Sequence, residues 1–375
     1  MYINFWYPIC TSAELVRDEP RRVELLGVRL VAYRDEAENA HVLSDTCIHR
    51  GGSLSKGKVV GDCLQCPYHG WQFAGDGQCA SIPSMEGKKP PARAKIDSYP
   101  VHEAYGVVFA FLGDLPEAER PPVPVVEEWD KEGWRVGEPV VFEIDAFYER
   151  SIENGLDPVH NEFVHPTQGS PRVGEDQITI EPDDWGARFM VNFSGYADAE
   201  AREKINEIED DQGMRAGTWY TGPNAMVTGI YLPGGYDFVQ YFFEAPLSGG
   251  RTRIFFVNTR NNNLEAKNDQ WIVDTNMKVA AEDQAIVENL WPVETPDTLT
   301  RELLTPGDAV IVKYREDLAD WQHRGWRIDW DRLKATEHKA GYCIPSPARR
   351  EAGNWVLESI PLLPAGEAKA AAKSA

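Results

Sequence analysis

Residues 47–71, CIHRGGSLSKGKVVGDCLQCPYHGW, hold three of the chain's six cysteines and two of its eight histidines. The order is Cys47-x-His49, sixteen intervening residues, then Cys66-x-x-His69. Two short loops of this kind each offer one thiolate and one imidazole. That donor set suits a [2Fe–2S] cluster in which two cysteines hold one iron and two histidines the other, because neutral imidazole raises the reduction potential relative to four thiolates. Gly51, Gly52, Gly70 and Pro67 fit tight loops whose backbone N–H groups approach the sulfurs. Two other readings use the same residues. A zinc site would draw in Cys63-x-x-Cys66 with His69. A redox dithiol would use Cys63 and Cys66, although a strand–turn–strand setting lacks the helix start that activates such a pair. Cys10, Cys63, Cys79 and Cys343 otherwise read as small apolar residues.

The flanks of this stretch are strand-like. VELLGVRLVAYR (23–34) and YGVVFAFLG (105–113) are short apolar runs bounded by Gly, Pro and Asp, which predicts a small all-β domain around the cysteines. PEAERPPVPVVEEW (116–129) then reads as a linker or extended connection. Beyond it, alternating runs at Phe189, Val191 and Phe193, at Val239, Tyr241 and Phe243, and at Ile254 and Phe256 predict an antiparallel sheet with one buried face. A helix is expected from about Asn268 to Leu290, and the Ala-rich end AGEAKAAAKSA reads as a frayed tail.

Composition narrows the function. With 375 residues, 42% of them hydrophobic, the chain is long enough for two domains with separate cores. A net charge of −22 and a pI near 4.8 repel nucleic acid and anionic membrane surfaces. No signal peptide is evident at the N-terminus, and no run of about 18 apolar residues is present, so a cytoplasmic protein without a spanning helix is expected. In a reducing compartment six cysteines are better read as metal ligands or thiols than as a disulfide frame.

A second metal site is signalled by SIENGLDPVHNEFVHP (151–166), which contains Asp157-x-x-His160-x4-His165. Two imidazoles and one carboxylate on one face of an Fe(II) leave positions open for O₂. His160 and His165 lie about 140° apart around an ideal helix, so they share a metal only if the helix is widened or ends between them. Pro158 makes an irregular start there reasonable. The carboxylate is sought on NDQWIVDTNMKVAAEDQAIVENLW (268–291). Projected at about 100° per residue, Ile272, Val279, Ile286 and Leu290 form a stripe with Asp283 in its middle. A carboxylate buried there is costly unless a cation compensates it. Asn276 falls on the same stripe as a contact to the site or its substrate; Glu282 and Glu288 are expected to face solvent.

CPYHGW and ENGLDPVH together resemble the Rieske-type non-haem iron oxygenases, the aromatic-ring-hydroxylating family. The resemblance implies an α+β chain: a Rieske [2Fe–2S] domain (1–118), a linker (119–128), an antiparallel-sheet, helix-grip-like catalytic domain (129–362) with a long C-terminal helix, and a flexible tail (363–375). It implies Cys47, His49, Cys66 and His69 as cluster ligands, and His160, His165 and Asp283 as ligands of a mononuclear iron. Asn154 would contact that site. Asp157 would bridge a cluster histidine of one subunit to the iron-bound His160 of the next, in a homotrimeric ring. O₂ would be the co-substrate for mono- or dioxygenation or demethylation of a small organic molecule.

No dinucleotide fingerprint follows any strand, so NAD(P)H would act only through a separate reductase, with or without a ferredoxin. Seven basic residues between Arg50 and Lys95 (Arg50, Lys56, Lys58, Lys88, Lys89, Arg93 and Lys95) outnumber Asp62, Asp76 and Glu86, and suit a rim that steers an acidic donor. The rival classes are a Rieske electron carrier without oxygenase chemistry and a zinc-stabilised module. Phe193, Trp219, Tyr231, Phe238 and Phe243 are candidates for a pocket wall or for core.

Overall fold

A computed structural model describes residues 1–168, 171–174, 178–193, 214–232 and 234–366. The chain forms two compact units, one of residues 1–123 and 320–375, the other of residues 124–319. This division falls differently from the expected one, which placed 129–362 in one catalytic domain. Residues 320–362 belong instead to the N-terminal unit. Trp321 packs edge-on against Phe5 at 4.7 Å, Arg327 bridges to Tyr2, and the Tyr99 hydroxyl donates to Ile344 O. Buried Asp97 takes a bidentate pair from Arg349 at 2.7 and 2.8 Å. A return of the chain to its own start leaves no mark in local periodicity. Most of the expected tail, 367–375, lies outside the described residues.

The N-terminal unit is built from short strands. β1 (Phe5–Thr11), β10 (Val101–Ala104) and β11 (Val107–Leu112) form one antiparallel sheet. β2 (Arg21–Leu25), β3 (Val28–Arg34), β4 (Ala40–Ser44) and β9 (Ser98–Tyr99) form a second. The β2–β3 hairpin turns on Leu26 and Gly27, both at positive φ, the two-residue turn that matches strand twist. A third sheet, β5 (Lys58–Val60), β6 (Cys63–Gln65), β7 (Gln72–Phe73) and β8 (Cys79–Ser81), carries the cysteine-rich stretch. Under it lies a core of Val31, Leu54, Leu64, Phe73 and Ile96 that also holds Cys47 and Cys66. The connection after β11 is ordered and extended: Trp6 donates to Pro121 O.

The second unit is an antiparallel sheet with nine strands among the described residues. β12 (Arg135–Val136) and β13 (Val140–Ile144) both pair with β20 (Arg251–Arg260), followed in order by β19 (Tyr236–Ser248), β18 (Ala225–Leu232), β17 (Met214–Thr221), β15 (Gly186–Phe189) and β14 (Ile180–Pro182). β16 (Val191–Phe193) pairs with the other end of β17. The expectation of one buried face is corrected on β19. Phe242 and Glu244 face a cavity, yet Val239, Tyr241 and Phe243 on the opposite side are also 2–3% exposed. Residues 126–128 help cover that side, with the Tyr241 hydroxyl donating to Glu128 at 2.7 Å.

Three helices position the site in this unit. α1 (Tyr148–Leu156) ends at Asp157 because the residue before a proline is driven out of helical backbone. A Cβ at Gly155 would sit 2.3 Å from the thioether end of Met226, so a larger residue there would have to displace that side chain. α2 (Asn161–Val164) is a single turn, and α3 (Asp269–Val287) carries Asp283. Among the described residues no helix is long and apolar enough to cross a membrane.

Candidate functional site

The two cysteine–histidine loops are near copies of each other. Cys47 O accepts from Gly51 N and Cys47 N donates to Gly52 O; Cys66 O accepts from Gly70 N and Cys66 N donates to Trp71 O. Gly51 and Gly70 have φ of +71° and +72°, which closes each loop at little steric cost. The thiols point inward and are 1–2% exposed, while both histidines are exposed with ring centroids 4.4 Å apart. His49 stacks on Trp71. Burial pushes the Cys47 thiol up to about 12, so without a metal it stays protonated and inert. A cation that converts two buried thiols to thiolates is what this donor set fits. Gly52 leaves room for it: a Cβ there would come 3.1 Å from Cys66 Sγ.

His160, His165 and Asp283 converge in the second unit, with one donor atom from each lying within 4.8 Å of the others. His160 caps the start of α2 and His165 its end, so the helix stops between them and the 140° problem disappears. Their Nε2 atoms are 3.0 Å apart, and Asp283 Oδ1 lies 3.4 Å from His160 Nε2 and 3.3 Å from His165 Nε2. His160 Nδ1 meets Asp157 O, and His165 Nδ1 meets Glu282 Oε2 at 3.0 Å. With both Nδ1–H groups engaged, two Nε2 lone pairs face each other and a carboxylate. That arrangement is repulsive unless a cation sits among them, and a divalent metal fits it. Burial resists ionisation of Asp283, but the two imidazoles beside it outweigh burial and hold the carboxyl well below the usual range. Burial likewise lowers the His165 pKa, and Asp283 and Glu282 more than reverse it, leaving a net rise.

Several expectations change at this point. Glu282 does not face solvent: it accepts from Thr167 N and Thr167 Oγ1 as well as touching His165. Its side chain is long enough to reach around the helix from a position about 100° away from Asp283. Ile286 and Leu290 leave the stripe, at 45% and 37% exposed; Ile272 and Val287 are the buried apolar residues. Glu288 is exposed as expected. The Asp157 carboxylate does not hold the His160 ring. Its Oδ1 accepts from Val159 N and His160 N, starting α2, while its backbone carbonyl takes the imidazole. Asn154 Nδ2 donates to Asp283 Oδ1 at 2.8 Å, whereas Asn276 accepts from Gln240 and lines the cavity. Lys95 leaves the basic rim: it is 7% exposed, bonded to Gly353 O and lying over Trp355.

The triad opens into a cavity of about 150 Å³. Its walls include Phe142, Phe189, Phe193, Phe242, Phe256 and Ile254. Of the five aromatic candidates only Phe193 lines it; Phe243 is core on the far side of the sheet. Sequence reasoning missed Ser151 and Glu244, which also line it. The signal was present in FVQYFFEAPL, where a lone carboxylate interrupts an apolar strand on the Gln240–Phe242 phase.

A family described as the Rieske [2Fe–2S] domain matches residues 5–100, and one described as the vanillate O-demethylase oxygenase C-terminal domain matches residues 144–324. The 5,5'-dehydrodivanillate O-demethylase oxygenase subunit of Sphingobium sp. is 30% identical over 61% of this chain, which spans about half (53%) of that protein. The 4beta-methylsterol monooxygenase of Methylococcus capsulatus is 30% identical over 68% of this chain and 67% of its own length. The solved structure of Pseudomonas putida CBB5 NdmA with caffeine superposes with a TM-score of 0.69 at 25% identity, covering 84% of this chain and 89% of that one.

Proposed function

Because the chain belongs to the Rieske non-haem iron oxygenases, we propose that it is the terminal oxygenase of a multicomponent system that demethylates or hydroxylates a small organic substrate. The observation that carries this reading is the convergence of His160, His165 and Asp283 at the mouth of an apolar cavity. Cys47, His49, Cys66 and His69 would hold the [2Fe–2S] cluster that receives electrons one at a time. A separate reductase, with or without a ferredoxin, would deliver them from NAD(P)H. Bound by the triad, a mononuclear iron would supply the site at which O₂ is activated.

This chain's own residues do the rest. The Asp157 carbonyl and Glu282 hold the two imidazoles in the tautomer that turns Nε2 toward Asp283, and Asn154 fixes the carboxylate. The phenylalanine walls orient an apolar substrate and keep bulk water from the reacting centre. Oδ1 of Asp157 is spent inside its own chain, which leaves Oδ2 for the exposed cluster histidine of a neighbouring copy in a three-membered ring. Oxidative demethylation is favoured over ring dihydroxylation by the demethylase oxygenase domain match and by relatives named as demethylases.

The test is turnover with a reductase, NADH, O₂ and a panel of aryl methyl ethers and N-methyl heterocycles. Formaldehyde release in step with O₂ uptake is the expected result. Reduction of the cluster with no oxygenated or demethylated product from any panel member would instead favour a bare electron carrier.

A further inference from the structure

Glu244 is the one carboxylate on the sheet that faces the cavity among its described lining residues, and the proposed iron ligands do not touch it. It is 1% exposed. Ser151 Oγ donates to its Oε1 at 2.7 Å, and its Oε2, fully buried, has no hydrogen-bond partner among the described residues. A buried polar atom left unpaired costs free energy that a ligand atom can return. Among the described lining residues there is no lysine or arginine, so the wall around Glu244 offers no basic side chain to an anionic ligand.

We infer that Glu244 is a specificity residue, presenting Oε2 as a hydrogen-bond donor to an oxygen or nitrogen acceptor on an uncharged substrate, and that it selects against carboxylates. The inference rests on the oxygenase reading of the cavity and names the substrate class for it. Burial, opposed by the Ser151 hydrogen bond, pushes the Glu244 carboxyl up to about 8. That shift favours the neutral carboxyl near physiological pH. Because Oε1 already accepts from Ser151, the proton belongs on Oε2, the oxygen left without a partner among the described residues. An ionised substrate group placed beside Oε2 would meet a carboxyl with no lysine or arginine next to it among the described lining residues, which is the costly arrangement.

Three probes of one size separate the terms: 4-methoxyacetophenone has a neutral carbonyl acceptor, 4-isopropylanisole lacks it, and 4-methoxybenzoate carries a charge. Binding to the iron-loaded enzyme is measured by calorimetry, without O₂ or an electron donor. The ketone should bind about tenfold more tightly than either of the others. Glu244→Gln, whose amide offers the same donor, should keep that preference, and Glu244→Leu should abolish it. Equal binding of ketone and hydrocarbon by the wild type overturns the inference, whether or not the leucine variant folds. So does tighter binding of the carboxylate, failure of the wild type to bind the ketone, or an unchanged preference in a folded Glu244→Leu enzyme. Because no turnover is read, a protein that shows the preference but consumes no O₂ with a donor keeps this inference and loses the oxygenase reading.

Discussion

The two metal-type sites in this chain are built on opposite principles. The cluster loops draw their four donors from 23 consecutive residues, Cys47 to His69, and shape them with backbone hydrogen bonds and glycines. The triad joins a four-residue helix to a carboxylate more than a hundred residues later, and shapes it mainly with side chains, Asn154, Glu282 and Thr167, beside one backbone carbonyl at Asp157. In the first site the imidazoles are exposed and the thiols buried; in the second His165 is 4% exposed and the donors open into a cavity walled largely by phenylalanines. One arrangement suits electron entry at a surface, the other chemistry kept from water.

Breaking one site should therefore leave the other intact. Asp283→Ala should cost about a thousandfold or more in substrate oxidation, because a buried two-imidazole site without its carboxylate holds iron poorly. The cluster's visible spectrum should be unchanged. Cys66→Ala should do the converse, erasing that spectrum while a ferrous ion still binds the triad. Loss of both signals in either variant would mean that the sites are not independent.

The positioning side chains sharpen the contrast. Glu282→Ala should weaken iron retention by roughly 10–100-fold, measured by chelator competition, while the cluster is retained. Retention equal to wild type would show that His165 needs no such partner.

That difference also governs what was legible. Donors set by short loops can be read directly, because Cys-x-His and Cys-x-x-His are local facts about turns. Asp283 stands out in the sequence as a carboxylate on an apolar stripe, but Ile286 and Leu290 of that stripe are exposed. Helical phase drifts over five turns, and only packing against β13 and β20 decides between Ile286 and Val287. Angular projection points Glu282 to solvent because it ignores side-chain reach, which brings its carboxylate to His165 and Thr167. Ser151 and Glu244 meet only when α1 lies across the sheet, a contact between residues 93 positions apart. The return of residues 320–362 to the first unit was invisible for the same reason.

A smaller effect concerns the cavity wall. A carboxyl raised from its ordinary value to about 8 in the folded protein gives stability that is present at low pH and is lost as pH rises toward 8. Glu244→Gln lacks that loss, so its advantage over wild type should grow between pH 5 and 8, by an amount on the order of a few kcal/mol. Thermal melts across that range check it; a constant difference would mean that Glu244 is already ionised when folded.

The smallest effect belongs to the surface of the first site. Lys56→Glu with Lys58→Glu, both at exposed positions, should slow cluster reduction by an acidic donor a few-fold at low salt and flatten its salt dependence. An unchanged salt dependence would place donor docking elsewhere.

Metal and sulfide analysis of the purified chain and of Asp283→Ala tests the two-site account most directly. About three irons and about two acid-labile sulfides per wild-type chain, falling to about two irons with sulfide unchanged in the variant, is the predicted result. About two irons in the wild type, or about three retained without Asp283, would contradict it.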